Sequence, residues 1–447
     1  MPSPRKVGSF AYLPVEFTRD GDIYKASQLE AVLDLIAKPA ANGVTDLFVI
    51  SHGWNNDIAE AEDLYSRLFS AVDAVLARNS AACDEVRARR AAVVGILWPS
   101  KKFDEASLTA GGAASMGAKE ASALTDSLDL LSGFIGTPGA KRSLARARAL
   151  APVLASSLDA RDEFVRIVRA FMPHDVNVEE PVIPDDLFTL DGDQLLQRLS
   201  RAGHDSTAAG ARRATSSGGA AGLGDWIGKA VDGAKGLVNL VTYYQMKNRA
   251  GVVGERGAYD MLRQIRAARP ADGNDSLRLH LIGHSFGCRL VTAATAGPAT
   301  APPLPIDSLT LLQAAFSHYG FAQAYDGTHD GYFRRVVTDP ARVRGPIVIT
   351  FTAKDKAVGL AYPIASRIAR QIAAALGDAN DPYGGLGRNG AQKTPGAQTV
   401  TLGKVGSVYT FAARGIYNLD ANAVIAGHSD LAHAEVAYAI VSAAAAV

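Results

Sequence analysis

Ser285 stands between two glycines in Gly283-His284-Ser285-Phe286-Gly287, after the apolar run 279–282 and before a second apolar run, 288–296. A strand pattern that turns abruptly into a helix pattern is the setting in which such a serine becomes a nucleophile. The sharp turn holds the serine in a strained backbone conformation, and side chains two residues before and two after it would collide with the strand or the helix. Gly283 and Gly287 carry no side chain at those two positions. The hydroxyl is then thrust from the carboxyl edge of the strands at a helix start, where unpaired N–H groups favour developing negative charge. The expected chemistry is attack of Ser285 Oγ on a carbonyl carbon. That attack needs a base for the proton, a carboxylate to orient the base, and N–H donors for the oxyanion.

The Gly283–Gly287 motif together with the upstream stretch 49–57, Val-Ile-Ser-His-Gly-Trp-Asn-Asn-Asp, resembles the α/β-hydrolase superfamily of the lipase and esterase type. His52-Gly53-Trp54-Asn55 with a strand ending Leu97-Trp98-Pro99-Ser100 is similar to uncharacterised bacterial hydrolase-like proteins. The resemblance covers roughly residues 1–100 and 246–447 and nothing between. It implies that the backbone N–H groups of Trp54 and Phe286 form an oxyanion hole. His52, Gly53, Gly283 and Gly287 are then supporting residues, His52 orienting the oxyanion loop through its ring nitrogens. Two N–H groups aimed at a carbonyl oxygen stabilise charge that exists only in the tetrahedral state, and losing one typically costs about 3 kcal/mol of barrier stabilisation.

The remaining partners follow in the chain order nucleophile, acid, histidine. Of nine histidines, His428 and His433 lie beyond the acid's position. His428 precedes a helical run with an expected cap at Ser429 or Asp430, and a loop histidine at a helix entrance can reach across a sheet edge. His433 is expected inside that helix, so His428 is read as the base. Asp355 leaves the β-branched run 346–353 and is read as the acid, with Lys354 and Lys356 expected to favour its ionised form. Asp326, Asp330 and Asp339 follow the preceding strand by too many residues to sit at its tip. His284 is read as a structural neighbour of the serine.

These residues need a scaffold that brings strand ends together. Short apolar runs at 9–17, 46–51, 91–98, 277–283, 308–316, 346–353 and 407–413 read as strands, alternating with helical patterns such as 61–77 and 256–268. The fold class expected is α/β, with a mostly parallel central sheet and flanking helices. Residues 1–99 and 246–447 are read as two parts of one hydrolase core. Residues 100–245 are read as a helical cap or lid insertion, with a flexible, low-complexity segment near 203–224. Within the insertion, 225–246 is amphipathic and is expected to pack on the core, with transient lipid contact as the alternative. The Gly-rich stretch 377–390 lacks EF-hand ligand spacing and reads as a surface loop. No metal-ligand cluster and no cofactor motif is found, so no metal or cofactor is expected.

A net charge of +1 gives no field to recruit nucleic acid. Apolar runs stay far below the ~20 residues that span a bilayer. Two cysteines are too few for a disulfide framework, and no Sec-type leader is visible, so a cytoplasmic location is expected, with leaderless secretion also compatible. The sequence is silent on oligomeric state. The function expected is hydrolysis of a small-molecule or lipid-like carboxylic ester through an acyl-enzyme. Alternatives are a thioesterase, acyltransferase or peptidase on the same triad, or a non-catalytic binding module, against which the completeness of the triad argues.

Overall fold

Runs rich in valine, isoleucine and leucine form strands buried on both faces, as a parallel sheet covered by helices on each side requires. The computed structural model describes residues 5–38, 43–100, 118–173, 186–208, 223–273, 276–355, 357 and 383–447. Nine strands form one sheet: β1 (Arg5–Val7), β2 (Phe10–Glu16), β3 (Asp46–Ser51), β4 (Ala91–Leu97), β5 (Arg278–His284), β6 (Ser308–Leu312), β7 (Ile347–Phe351), β8 (Ala397–Thr401) and β9 (Ile416–Asp420). Their order is β1-β2-β4-β3-β5-β6-β7-β9-β8, and every neighbouring pair is parallel except β1–β2. Alternate residues of β3 face opposite layers. Leu47 and Val49 join the core layer that holds Leu237 and Val241, whereas Phe48 and Ile50 join the layer of Leu68 and Ile440.

The longer helices are α1 (Ala26–Ile36), α2 (Ile58–Leu76), α3 (Ala81–Arg87), α4 (Ala118–Ile135), α5 (Pro138–Leu150), α6 (Leu158–Arg169), α7 (Gly192–Ala208), α8 (Leu223–Val252), α9 (Tyr259–Ala268), α10 (Phe286–Ala296) and α11 (Ala434–Ala445). Helices α4 to α8 all fall between β4 and β5, where no strand was expected. Helix α8 continues through the π-helical turn Val253–Ala258 into α9, so the expected boundary at 245 lies within an unbroken helical run. Residues 203–208 belong to α7, and 209–222 lie outside the described residues. From Ala230 to Ala250 every side chain of α8 is buried or half-buried, which leaves this part of the helix no open apolar stripe. Among the described residues no helix is long and apolar enough to cross a membrane.

Two expectations are corrected. The run 407–413 is not a strand; the strands after β7 are β8 and β9. Its alternation has a different cause: residues 403–411 are alternately half-buried and exposed because Val405, Tyr409 and Phe411 lie on the layer around α11, with Tyr409 6.0 Å from the Tyr438 ring. The stretch 383–390, expected on the surface, is mostly buried. Its glycines let the chain run against the end of β6, where Leu386 N donates to Phe316 O (2.8 Å) and Gly387 N to Ala314 O (2.9 Å). Residues 377–382 lie outside the described residues.

At the amino ends of the central strands, buried polar groups tie the sheet together. Asp46 Oδ1 accepts from His280 Nε2 and from Arg89 Nη1, both at 3.1 Å, and His280 Nδ1 meets Ser308 Oγ at 2.8 Å. Arg89 also donates to Ala444 O (3.0 Å) and Val447 O (2.8 Å), joining α11 to β3. This cluster links β3, β5 and β6 at the edge opposite the one where their loops converge on Ser285.

Candidate active site

Ser285 caps α10 with φ 57° and ψ −123°, a left-handed backbone that a non-glycine residue adopts only at a cost. Both flanking glycines are sterically required. A Cβ on Gly283 would be driven into Cys288 Cα, and one on Gly287 into the carbonyl oxygen of Ser51. The strained turn is held by Ser285 N donating to Leu312 O and by Ala315 N donating to Ser285 O, both at 3.1 Å. Ser285 is 5% exposed, at the carboxyl end of β5.

His428 and Asp355 meet this serine in line. His428 Nε2 lies 2.8 Å from Ser285 Oγ, and His428 Nδ1 lies 2.8 Å from Asp355 Oδ2. A carboxylate accepts only, so Nδ1 carries the proton and Nε2 accepts from the serine hydroxyl. Asp355 is fully buried, past the end of β7, with its amide donating to Thr352 O (3.1 Å). Lys354 is exposed and Lys356 lies outside the described residues. A second donor to Asp355, besides His428, is one the sequence reading missed: Gln313 Nε2 donates to Asp355 Oδ2 (3.1 Å) and to Gly387 O (3.0 Å). Thr350 Oγ1 fixes the amide by donating to Gln313 Oε1 (3.1 Å), and Gln313 itself has φ 48°. Its place directly after the apolar run of β6 does not by itself mark it as a partner of the acid.

The loop after β3 lies against the serine. A Cβ on Gly53 would sit 2.6 Å from Ser285 Cβ and 3.1 Å from its Oγ, so only glycine allows this approach. His52 is bonded into the loop through both ring nitrogens and its carbonyl. Its Nε2 accepts from Trp98 N (3.2 Å), its Nδ1–H donates to Gly53 O (2.8 Å), and its carbonyl accepts from Trp98 Nε1 (3.0 Å). The Tyr65 hydroxyl accepts from His52 N (2.8 Å) and donates to Ile96 O (2.6 Å). Burial pushes the His52 pKa down to about 4, opposed weakly by the bond to Gly53, so the ring is neutral at physiological pH. Asn55, at φ 66°, donates its amide to Ser100 O (3.0 Å), and Asp57 closes the loop as the N-cap of α2 in a capping box with Glu60. The amide of Phe286 is at the first position of α10, where a backbone N–H has no acceptor within the helix. The Trp54 and Phe286 rings pack 5.9 Å apart, and Tyr243 of α8 touches both, at 6.1 and 5.1 Å.

Ser285, His428, Asp355, His52, Gly53, Trp54 and Phe286 thus converge at the carboxyl edge of β3, β5 and β7. The rival acids do not: Asp326 binds exposed His329 (2.7 Å), Asp330 accepts from Ala324 N (2.8 Å), and Asp339 pairs with Arg342 (3.1 Å). His433 is not inside the final helix but is its N-cap residue, held by Asp430 Oδ1 at 2.7 Å. The helix therefore starts later than the expected Ser429 or Asp430, leaving His428 in an open loop. Among the described residues no group of three or more His, Cys, Asp or Glu could hold a metal ion. No family model, curated protein or solved structure matches the chain.

Proposed function

We propose that this chain is a serine hydrolase that cleaves a carboxylic ester through an acyl-enzyme, on an α/β-hydrolase core with the helices between β4 and β5 as its cap. The observation that carries this reading is the pair of 2.8 Å contacts that put His428 between Ser285 Oγ and Asp355. His428 Nε2 takes the hydroxyl proton as Oγ bonds to the ester carbon, and Asp355 steadies the imidazolium. The carbonyl oxygen, now negative, sits between the amides of Trp54 and Phe286. Collapse breaks the ester C–O bond, His428 gives its proton to the departing alkoxide, and a water activated by the same ring releases the acid. Neutral donors suffice for the oxyanion, and neutral His52 holds one of them in place.

The aromatic wall of Trp54, Tyr243 and Phe286 supports an apolar acyl or lipid-like substrate, since it offers rings and no charge beside the nucleophile. A fluorophosphonate probe is expected to label Ser285, and Ser285→Ala to abolish both labelling and hydrolysis of p-nitrophenyl esters. A well-folded wild-type protein that neither takes the label nor turns over any ester, thioester or phospholipid would refute the assignment.

A further inference from the structure

His284 is used by none of the steps above, yet it is enclosed between the nucleophile and the base. It is 5% exposed, and its Nε2 lies 3.0 Å from the carbonyl oxygen of His428, with the two rings 5.0 Å apart. A carbonyl only accepts, so the proton is on Nε2 and Nδ1 keeps its lone pair. Among the described residues, that Nδ1 is buried without a hydrogen-bond partner, facing Gly53. An unsatisfied buried nitrogen costs about 1–3 kcal/mol. Folding alone would do as well with an apolar side chain of this size, so the imidazole is explained by its other nitrogen.

The loop it touches has no regular structure. Residues 421–433 connect β9 to α11, and their bonds include local ones and ones to the segment after β7: Ala426 N to Asp430 Oδ2 (2.8 Å), Ala353 N to Asn422 Oδ1 (2.9 Å). The His284–His428 bond instead ties the loop's main chain to β5, the strand that delivers Ser285. We propose that His284 is a positioning residue: by holding the His428 main chain, it sets the ring of the general base at its reach to Ser285 and Asp355 together. Burial and the neighbouring His428 push the His284 pKa down to about 3, so the residue adds no charge beside the imidazolium that forms during catalysis. A lysine or arginine could make the same bond but would oppose that charge.

The inference rests on the hydrolase reading, and the two fail differently. His284→Gln keeps an N–H at the reach of Nε2; His284→Leu removes it; His284→Asn carries an amide too short to meet the His428 carbonyl. With a p-nitrophenyl ester, the Leu and Asn variants are expected to lose roughly 10- to 100-fold in kcat with KM nearly constant. Their fluorophosphonate labelling slows by the same factor, while Gln recovers most of both. The downfield proton resonance of His428 Nδ1–H is expected to persist in Gln and to broaden in Leu and Asn. Full activity in folded Leu or Asn protein, or a Gln variant as impaired as they are, overturns the positioning role. A wild-type protein that is itself inert overturns the hydrolase reading and this inference with it.

Discussion

The carboxylate of Asp355 is buried completely, and an ion in that position must be met by donors or it will take up a proton instead. His428 supplies one donor and Gln313 another, the latter clamped by Thr350 and Gly387. Gln313 is fully buried, so on the hydrolase reading its loss should appear in kcat alone. Gln313→Ala is expected to lower kcat by about tenfold with KM unchanged, matching the ~1.5–3 kcal/mol of a hydrogen bond to a charged group in part replaced by water. Steady-state kinetics on p-nitrophenyl acetate check this, and an unchanged kcat would show that the Gln313 bond is not needed to orient the acid. That Ser285, Asp355 and His428 would be neighbours was legible in the sequence because strain at Ser285 demands glycines at fixed spacing, and because chain order left few candidates for the other two. Gln313 was not legible. Its role depends on where β7 and the 383–390 segment lie, and one polar residue after an apolar run carries no mark of what will pack above it.

Strands and helices differ in how much of their role is local. Strands β3 to β7 were read correctly as elements because burial on both faces selects unbroken apolar runs. The error at 407–413 arose because an extended segment lying on a helix shows the same alternation as an edge strand. Helix α8 was visible as an amphipathic segment, but not that Tyr243 on it would reach Phe286 and Trp54, since packing between residues 43 and 189 positions apart in the chain leaves no periodic trace. Because the Tyr243 ring packs on the Trp54 and Phe286 rings beside Ser285, it should, on the hydrolase reading, limit the space beside the acyl carbon. Tyr243→Ala removes a ring of the wall and is expected to shift ester preference toward longer or bulkier acyl chains. Tyr243→Phe, which keeps the ring, should retain the wild-type order. The ratio of kcat/KM for octanoate to acetate p-nitrophenyl esters measures it; a ratio unchanged in Tyr243→Ala would place the acyl chain elsewhere.

Strand β3 joins two polar assemblies, Asp46 at its start in the clamp with His280 and Arg89, and the His52 loop at its end beside Ser285. Both assemblies tie stability to pH, in different windows. His52 and His284 are each buried and neutral, with pKa values lowered by burial to about 4 and about 3 from an ordinary 6.5. In the unfolded chain both imidazoles protonate as pH falls through 6.5, whereas in the folded protein they do not until pH 4 or below. Between those values the unfolded state binds more protons, so stability is full above pH 6.5 and declines as pH drops. Each group removes roughly 1 kcal/mol per pH unit, and the two together reach the order of 5 kcal/mol by pH 4, comparable with the ~5–15 kcal/mol of an ordinary domain. Asp46 acts lower: burial raises its pKa, but the bonds from His280 and Thr45 and the charge of Arg89 outweigh that, and its net lowering costs stability only as pH falls below the ordinary 3.8. The urea midpoint is therefore expected to be level from pH 8 to 7 and to fall steadily from 6.5 to 4. His52→Gln, which cannot protonate, should start from a lower midpoint yet fall less steeply over the same range. A variant whose slope matches the wild type would mean that His52 is charged in the folded protein, and the Nε2 bond to Trp98 N could not then exist.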